Sequence, residues 1–148
     1  MDKKTQLALD LKEAMKSGDT VRKNTIRALR GAICNAEIDT GHDLNDEECL
    51  AVINKQAKQR RDSIAQYKLA NRMDMVEQEQ NELHVIETYL PRQLSDAEIT
   101  ARAKTVIAEL GAVDAKSMGP VMKRLTVELK GVADGKRISQ IVRVLLTT

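Results

Sequence analysis

The amino-acid sequence predicts an all-α fold, and three features of its composition lead to that prediction. The 148 residues include no Trp, no Phe and only two Tyr, so the core has to be built from aliphatic side chains and methionine. Folds rich in strands depend on aromatic and β-branched residues between turns of Gly and Pro. Two Pro and seven Gly are too few for such a fold. Apolar residues also recur at helical spacing along the chain, which favours about seven helices.

The predicted helices begin where a capping residue precedes an apolar periodic stretch. Their starts lie near residues 3, 19, 45, 73, 95, 117 and 134. Asn45 with Glu48, and Ser95 with Glu98, have the spacing of capping boxes at the third and fifth starts. Glycine tolerates the left-handed backbone that commonly ends a helix. The glycines that follow predicted helices are Gly18, Gly41, Gly111 and Gly131.

The segment between Pro91 and Ser95 is the best candidate for a domain boundary. Proline disfavours helical dihedrals in the residue before it, so we expect the fourth helix to end at Leu90. A fresh capping box follows at once. The sequence therefore predicts a four-helix N-terminal domain over residues 1–92 and a three-helix C-terminal module over residues 93–148.

Charge and hydropathy narrow the classes of protein that the chain can belong to. The net charge is +2, but residues 1–94 sum to −1 and residues 95–148 to +3, so local basic faces are possible. The apolar runs are far shorter than the ~20 residues that a membrane span requires. No apolar run follows the charged amino terminus, and Cys34 and Cys49 resemble reduced thiols. These features predict a cytoplasmic protein without a membrane partner.

Motifs for catalysis or metal binding are scarce. His42 and His84 are the only histidines, and neither has the spacing of a helical metal site. The chain contains no Cys-x-x-Cys pair, phosphate-binding glycine loop or nucleophile elbow. We therefore expect no catalytic residue, no metal and no cofactor, and interpret the chain as a binding module rather than an enzyme.

Cations at helical spacing are the positive functional signal. The candidate RNA-binding residues are Lys23, Arg27 and Arg30 in the second helix, and Lys123, Lys130, Lys136 and Arg143 near the carboxyl terminus. Each Lys or Arg that meets a phosphate releases a counterion and so favours nucleic-acid binding. We also expect exposed amides in the glycine turn at 130–136 to attract anions. The alternative is that these are solvated faces and an ordinary capped turn.

Arg60 interrupts the apolar face of the third helix. A buried arginine requires a carboxylate, because an unpaired charge there would cost several kcal/mol. Glu37 and Glu79 are the candidate partners, and Glu79 likewise interrupts the apolar stripe of the fourth helix. We interpret Arg60 as part of a structural ion pair rather than a ligand site.

Five segments in order resemble the YqeY-like proteins of the GatB/YqeY family. They are residues 35–38, 58–64, 89–95, 118–122 and 130–136, and the resemblance extends over essentially the whole chain. The carboxy-terminal part is similar to the tail of the B subunit of the glutamine-dependent aspartyl/glutamyl-tRNA amidotransferase. In that enzyme the tail contacts tRNA, whereas amide transfer takes place in other domains.

The resemblance implies a non-catalytic accessory protein that binds tRNA or another structured RNA. Because aromatic residues are so few, we expect contact with helical backbone rather than base stacking on single strands. One alternative is a protein-interaction module without RNA binding. A second alternative is that the chain is classed as a carbon–nitrogen ligase through its family alone and has no active site of its own.

Overall fold

The computed structural model describes residues 2–112 and 114–147 and confirms the all-α prediction. Within these residues there are seven α-helices, one short 3₁₀ helix and no strand. The α-helices are α1 (Lys3–Ser17), α2 (Thr20–Thr40), α3 (Asp46–Leu69), α4 (Met73–Glu87), α5 (Asp96–Leu110), α6 (Met118–Glu128) and α7 (Gly135–Thr147). The 3₁₀ helix, Ala115–Ser117, leads directly into α6.

Local capping chemistry explains where most of these helices begin and end. Both predicted capping boxes are present, because Asn45 and Ser95 each accept the amide of a glutamate three residues later. In turn, the carboxylates of those glutamates, Glu48 and Glu98, accept a hydrogen bond from the backbone amide of the capping residue. Gly18, Gly41 and Gly111 adopt φ values of 74°, 78° and 66° at the ends of α1, α2 and α5.

Two helices end earlier than the sequence indicates. The fourth helix stops at Glu87 rather than Leu90, because the amides of Thr88 and Tyr89 bond to carbonyls three residues back instead of four. The sixth stops at Glu128 rather than Lys130. The backbone of Leu129 is no longer helical, with φ of −103° and ψ of 15°.

The chain divides into two compact units between Leu90 and Pro91. The first unit contains α1 to α4 packed around an aliphatic core. Fully buried members of that core include Leu7, Ile26, Leu29, Ile53 and Ile86. At the carboxyl end of the unit, the buried Tyr89 donates its hydroxyl to Asp10 of α1 at 2.6 Å.

The second unit contains α5, α6 and α7 around a separate aliphatic core. Its fully buried members include Ile99, Val106, Val121, Leu125, Ile138 and Val142. The segment before α5 is attached to the turn between α6 and α7. The Leu94 amide donates to the Val132 carbonyl at 2.8 Å, and the Gln93 side chain donates to the Gly131 carbonyl at 2.9 Å.

Candidate nucleic-acid interface

The exposed face of α7 presents two of the predicted RNA-binding cations. Lys136 and Arg143 are seven residues apart in α7, so they lie two turns apart on one side of the helix, with the exposed Gln140 between them. This face of α7 points to solvent because Ile138 and Val142, on the opposite face, are buried in the core of the second unit. The two cations therefore face solvent on a rigid element.

Lys123 and Lys130 are also exposed, but they do not share a helix face as the sequence suggests. Lys123 lies in α6, whereas Lys130 follows the end of that helix at Glu128. The left-handed Gly131, with φ of 84°, then turns the chain toward α7. Lys130 is thus a turn residue, and its position is set by the turn rather than by helical spacing.

Ion pairing divides the cations of the second unit into two groups. Four arginines have a carboxylate partner: Arg92 with Glu98 at 2.7 Å, Arg102 with Glu128 at 3.3 Å, Arg137 with Asp96 at 3.1 Å, and Arg124 with Glu109. In the described ranges, no carboxylate oxygen lies within 4.0 Å of Lys123, Lys130 or Arg143. These three charges remain available to an external anion, whereas those of the four arginines are largely balanced.

The turn between α6 and α7 offers fewer free amides than the sequence suggests. The amides of Val132 and Ala133 both donate to the Leu129 carbonyl, at 3.1 and 3.2 Å. Since these donors are already used, they do not form the expected anion site. What this turn contributes to a basic surface is the ammonium group of Lys130.

The second basic stripe lies on α2. Arg27 and Arg30 are exposed and Lys23 is half-buried, and Cys34 continues the row one turn further along the helix. Within residues 2–112 and 114–147, none of the three cations has a carboxylate oxygen within 4.0 Å. The stripe borders a cleft between α1 and α2, which Arg30 and Cys34 help to line.

Arg60 belongs to a charge cluster between α3 and α4. Its Nε lies 3.5 Å from Glu79 Oε2 and 3.1 Å from Glu82 Oε2, and the three side chains are 19%, 16% and 24% exposed. Burial, together with the nearby Glu82 carboxylate, raises the pKa of Glu79, and the Arg60 charge opposes that rise. Glu82 was not predicted, although its position three residues after Glu79 places it on the same face of α4.

Glu37 is not the partner of Arg60, and that candidate pairing is wrong. Its carboxylate accepts a hydrogen bond from Lys4 of α1 and another from the Leu44 amide at 2.9 Å. These two bonds lower the pKa of Glu37, and the same contact raises the pKa of Lys4. Glu37 therefore joins α1 to the loop between α2 and α3.

The described residues contain no group of three or more His, Cys, Asp or Glu side chains that could hold a metal ion. The two thiols differ, because Cys34 is exposed whereas Cys49 is buried and burial raises the pKa of its thiol. Of the helices described, none combines the length and apolar character required to cross a membrane.

Comparison with known proteins places this architecture in a family. Residues 4–146 match the family model described as Yqey-like protein. The chain belongs to the YqeY-like family. This confirms the resemblance that the five sequence segments indicate.

Three curated relatives of this YqeY-like chain are each named altered inheritance of mitochondria protein 41, mitochondrial. The relative from Lachancea thermotolerans is 40% identical over 113 residues, which cover 74% of this chain and 60% of the relative. For Kluyveromyces lactis the identity is 40% over 108 residues, covering 70% and 58%. The relative from Pyrenophora tritici-repentis is 34% identical over 139 residues, covering 91% and 76%. The chain thus spans about three fifths of the length of the first two relatives.

The names of these relatives contradict the predicted cytoplasmic location. Each relative is named a mitochondrial protein. The prediction relied on the amino terminus and on the two lone cysteines. Neither feature distinguishes the cytoplasm from another reducing compartment, which is why that prediction is wrong.

Proposed function

We propose that this YqeY-like chain is a tRNA-associated binding protein that contacts the RNA backbone through its second unit. The observation that carries the proposal is the division of the cations there. Four arginines are balanced by carboxylates, whereas Lys123, Lys130 and Arg143 have none within reach among the residues described. Lys136 lies on the same side of α7 as Arg143 and adds a fourth contact. The similarity to the amidotransferase tail supports tRNA as the RNA class.

The chemistry of this surface favours helical RNA over an unpaired strand. Proteins that bind single strands stack the bases on aromatic side chains. The only aromatic residues of the chain are Tyr67 and Tyr89, and both belong to the first unit. Lysine and arginine contacts to phosphate carry no direct sequence information, so similar affinity for different tRNAs is expected.

The number of contacts sets the expected strength of binding. Four phosphate contacts give a slope of log K against log salt on the order of −3. Such a slope weakens binding roughly 60-fold between about 50 and 200 mM salt. We therefore expect weak binding at physiological salt unless a partner adds contacts. The names of the relatives bring a mitochondrial setting into the proposal, so mitochondrial tRNA is the first pool to test.

The test compares two double variants with the same change in net charge. Lys136→Gln with Arg143→Gln removes two proposed contacts, and Arg102→Gln with Arg124→Gln removes two arginines that pair with glutamates. Fluorescence anisotropy with labelled tRNA over a salt series measures both affinity and slope. The first variant should weaken binding at least about tenfold and flatten the slope by about two.

The control variant should retain affinity close to that of the unaltered chain. Equal losses in the two variants would show that only net charge matters and would refute a specific surface. An unchanged slope in the first variant would show that α7 is not the contact. No binding of the unaltered chain at low salt would refute RNA binding altogether.

A further inference from the structure

A cleft of about 370 Å³ lies between α1 and α2 in the first unit. The buried side chains of Leu7 and Ile33 form its apolar base. The rest of the lining is Lys4, Arg30, Gly31, Cys34 and Glu37. The cleft therefore has an apolar base beside a basic helix face.

The solvent-facing row of α2 leaves this cleft open. Arg27, Gly31, Cys34 and Ile38 follow one another at steps of four, three and four residues, which places them on one side of the helix. A Cβ atom added at Gly31 would meet nothing within 4 Å. Beyond it, the large aliphatic side chain of Ile38 is 72% exposed. The row thus combines open space, an exposed apolar side chain and cations.

We propose that this cleft binds an acidic amphipathic helix of a protein partner. An apolar side chain of that helix would enter the space above Gly31, and its carboxylates would face Lys23, Arg27 and Arg30. Charge complementarity supports this occupant, because the three cations lack a carboxylate within 4.0 Å in the part of the chain described. Apolar anchors set into a groove are how amphipathic helices are commonly recognised.

The apolar part of the cleft favours a protein helix over RNA at this place, although the sequence predicts RNA contacts for the same three cations. The Glu37 carboxylate also lines the cleft, but it is paired with Lys4 and does not distinguish between the two partners. The apolar base and the exposed Ile38 gain free energy by leaving water, and an RNA backbone offers them no apolar surface in return. The α2 face therefore differs in kind from the all-polar cation row on α7.

A synthetic helix provides a direct probe. The peptide has two leucines four residues apart on one face and glutamates on both flanks. A second peptide has lysine in place of each glutamate, and a short RNA duplex serves as the third probe. Anisotropy measures binding to the whole chain. The exposed Cys34 supplies a second readout, because Cys49 is only 1% exposed and a maleimide should label Cys34 first.

The acidic peptide should bind and slow the labelling of Cys34 at least about fivefold at saturation. The lysine peptide and the duplex should leave the labelling rate unchanged. Absence of binding by the acidic peptide would overturn the proposal. Protection of Cys34 by the duplex instead would assign this face to RNA.

Two variants and a control locate the binding surface. Gly31→Leu should weaken binding of the acidic peptide at least about tenfold because leucine fills the cleft. It should not destabilise α2, because leucine has a higher helix propensity than glycine. Arg27→Glu with Arg30→Glu should do the same through charge. Lys12→Glu with Lys16→Glu is the matched control, since both lysines are exposed on α1 and do not line the cleft.

Equal weakening in the control would show a non-specific charge effect and would overturn the proposal. Unchanged affinity in a correctly folded Gly31→Leu chain would also overturn it, because the cleft would then not be the site. Circular dichroism of each variant establishes that the fold is retained. The salt series with tRNA reports on α7 independently. Failure of the peptide proposal can therefore be distinguished from failure of the tRNA proposal.

Discussion

Replacing Arg60 by methionine is the sharpest test of how α3 and α4 are held together. The change keeps most of the aliphatic stem and removes the cation that lies 3.5 Å from Glu79 and 3.1 Å from Glu82. Two partly buried carboxylates would then face each other without compensation. The cost is therefore the penalty of the orphaned glutamates rather than the strength of the pair itself.

The exposure of these side chains sets the magnitude. Removing one partner of a fully buried pair costs about 3–5 kcal/mol, whereas an exposed pair is worth about 1 kcal/mol or less. Because roughly a fifth of each side chain remains exposed, we expect Arg60→Met to lower the free energy of unfolding by about 2 kcal/mol at neutral pH. Arg72→Met should change little, since Arg72 and its partner Asp74 are both largely exposed.

The loss should depend on pH, with a definite sign. Burial raises the pKa of Glu79 in the folded chain, and loss of Arg60 removes the one influence that lowers it. The folded state then takes up a proton at a higher pH than the unfolded state does. Stability of Arg60→Met should therefore recover as the pH falls from neutral through the raised folded pKa towards the unfolded value near 4.3.

Urea denaturation at about pH 7 and about pH 5 measures these effects. The triple variant Arg60→Met, Glu79→Gln, Glu82→Gln supplies the decisive comparison, because it removes both orphaned charges. We expect it to regain more than half of the lost stability at neutral pH. A cost below about 0.5 kcal/mol for Arg60→Met, or a deficit that does not change with pH, would refute the reasoning.

Three further predictions concern single side chains. Thr25 is 2% exposed, and the described residues supply no hydrogen-bond partner for its hydroxyl. Thr25→Val should therefore raise the free energy of unfolding, measured in urea, by about 1 kcal/mol. A lower stability of the variant would indicate that the hydroxyl is hydrogen-bonded. Tyr89→Phe removes the bond to Asp10 and should cost about 1 kcal/mol. Burial raises the pKa of Tyr89, so its contribution is complete below the unfolded value near 10 and is lost at higher pH, and denaturation of the Phe variant should show a weaker alkaline dependence. The hydrogen bonds from Arg92 and the Ser95 amide lower the pKa of Glu98 to about 2. The stabilising effect of the Glu98 carboxylate should therefore be present above the unfolded pKa near 4.3 and disappear as the pH falls. A titration midpoint of this carboxyl group above about 4 by NMR would contradict this assignment.

Local chemistry made much of the fold predictable. The capping boxes at Asn45 and Ser95 depend on atoms within four residues, and both form as the spacing indicates. The aliphatic composition excluded a strand-rich fold for a similar reason, since it limits which side chains can fill any core. Helix ends without a capping signal were less predictable. The early end of α4 accompanies backbone bonds to carbonyls three residues back, and that of α6 accompanies a change of backbone angles at Leu129. No residue type specifies either feature.

The sequence by itself determined the helical class, most helix starts, the family and the outward position of the cations on α2 and α7. Only the tertiary structure decided which charges are balanced, because ion pairs join residues far apart in the chain. Arg60 meets Glu82 across α3 and α4, and Glu37 meets Lys4 across α1 and α2. The cleft beside Gly31 has the same origin, since residues of both α1 and α2 line it. Spacing along one helix shows which face a residue occupies, but the packing of another helix against that face determines its partner.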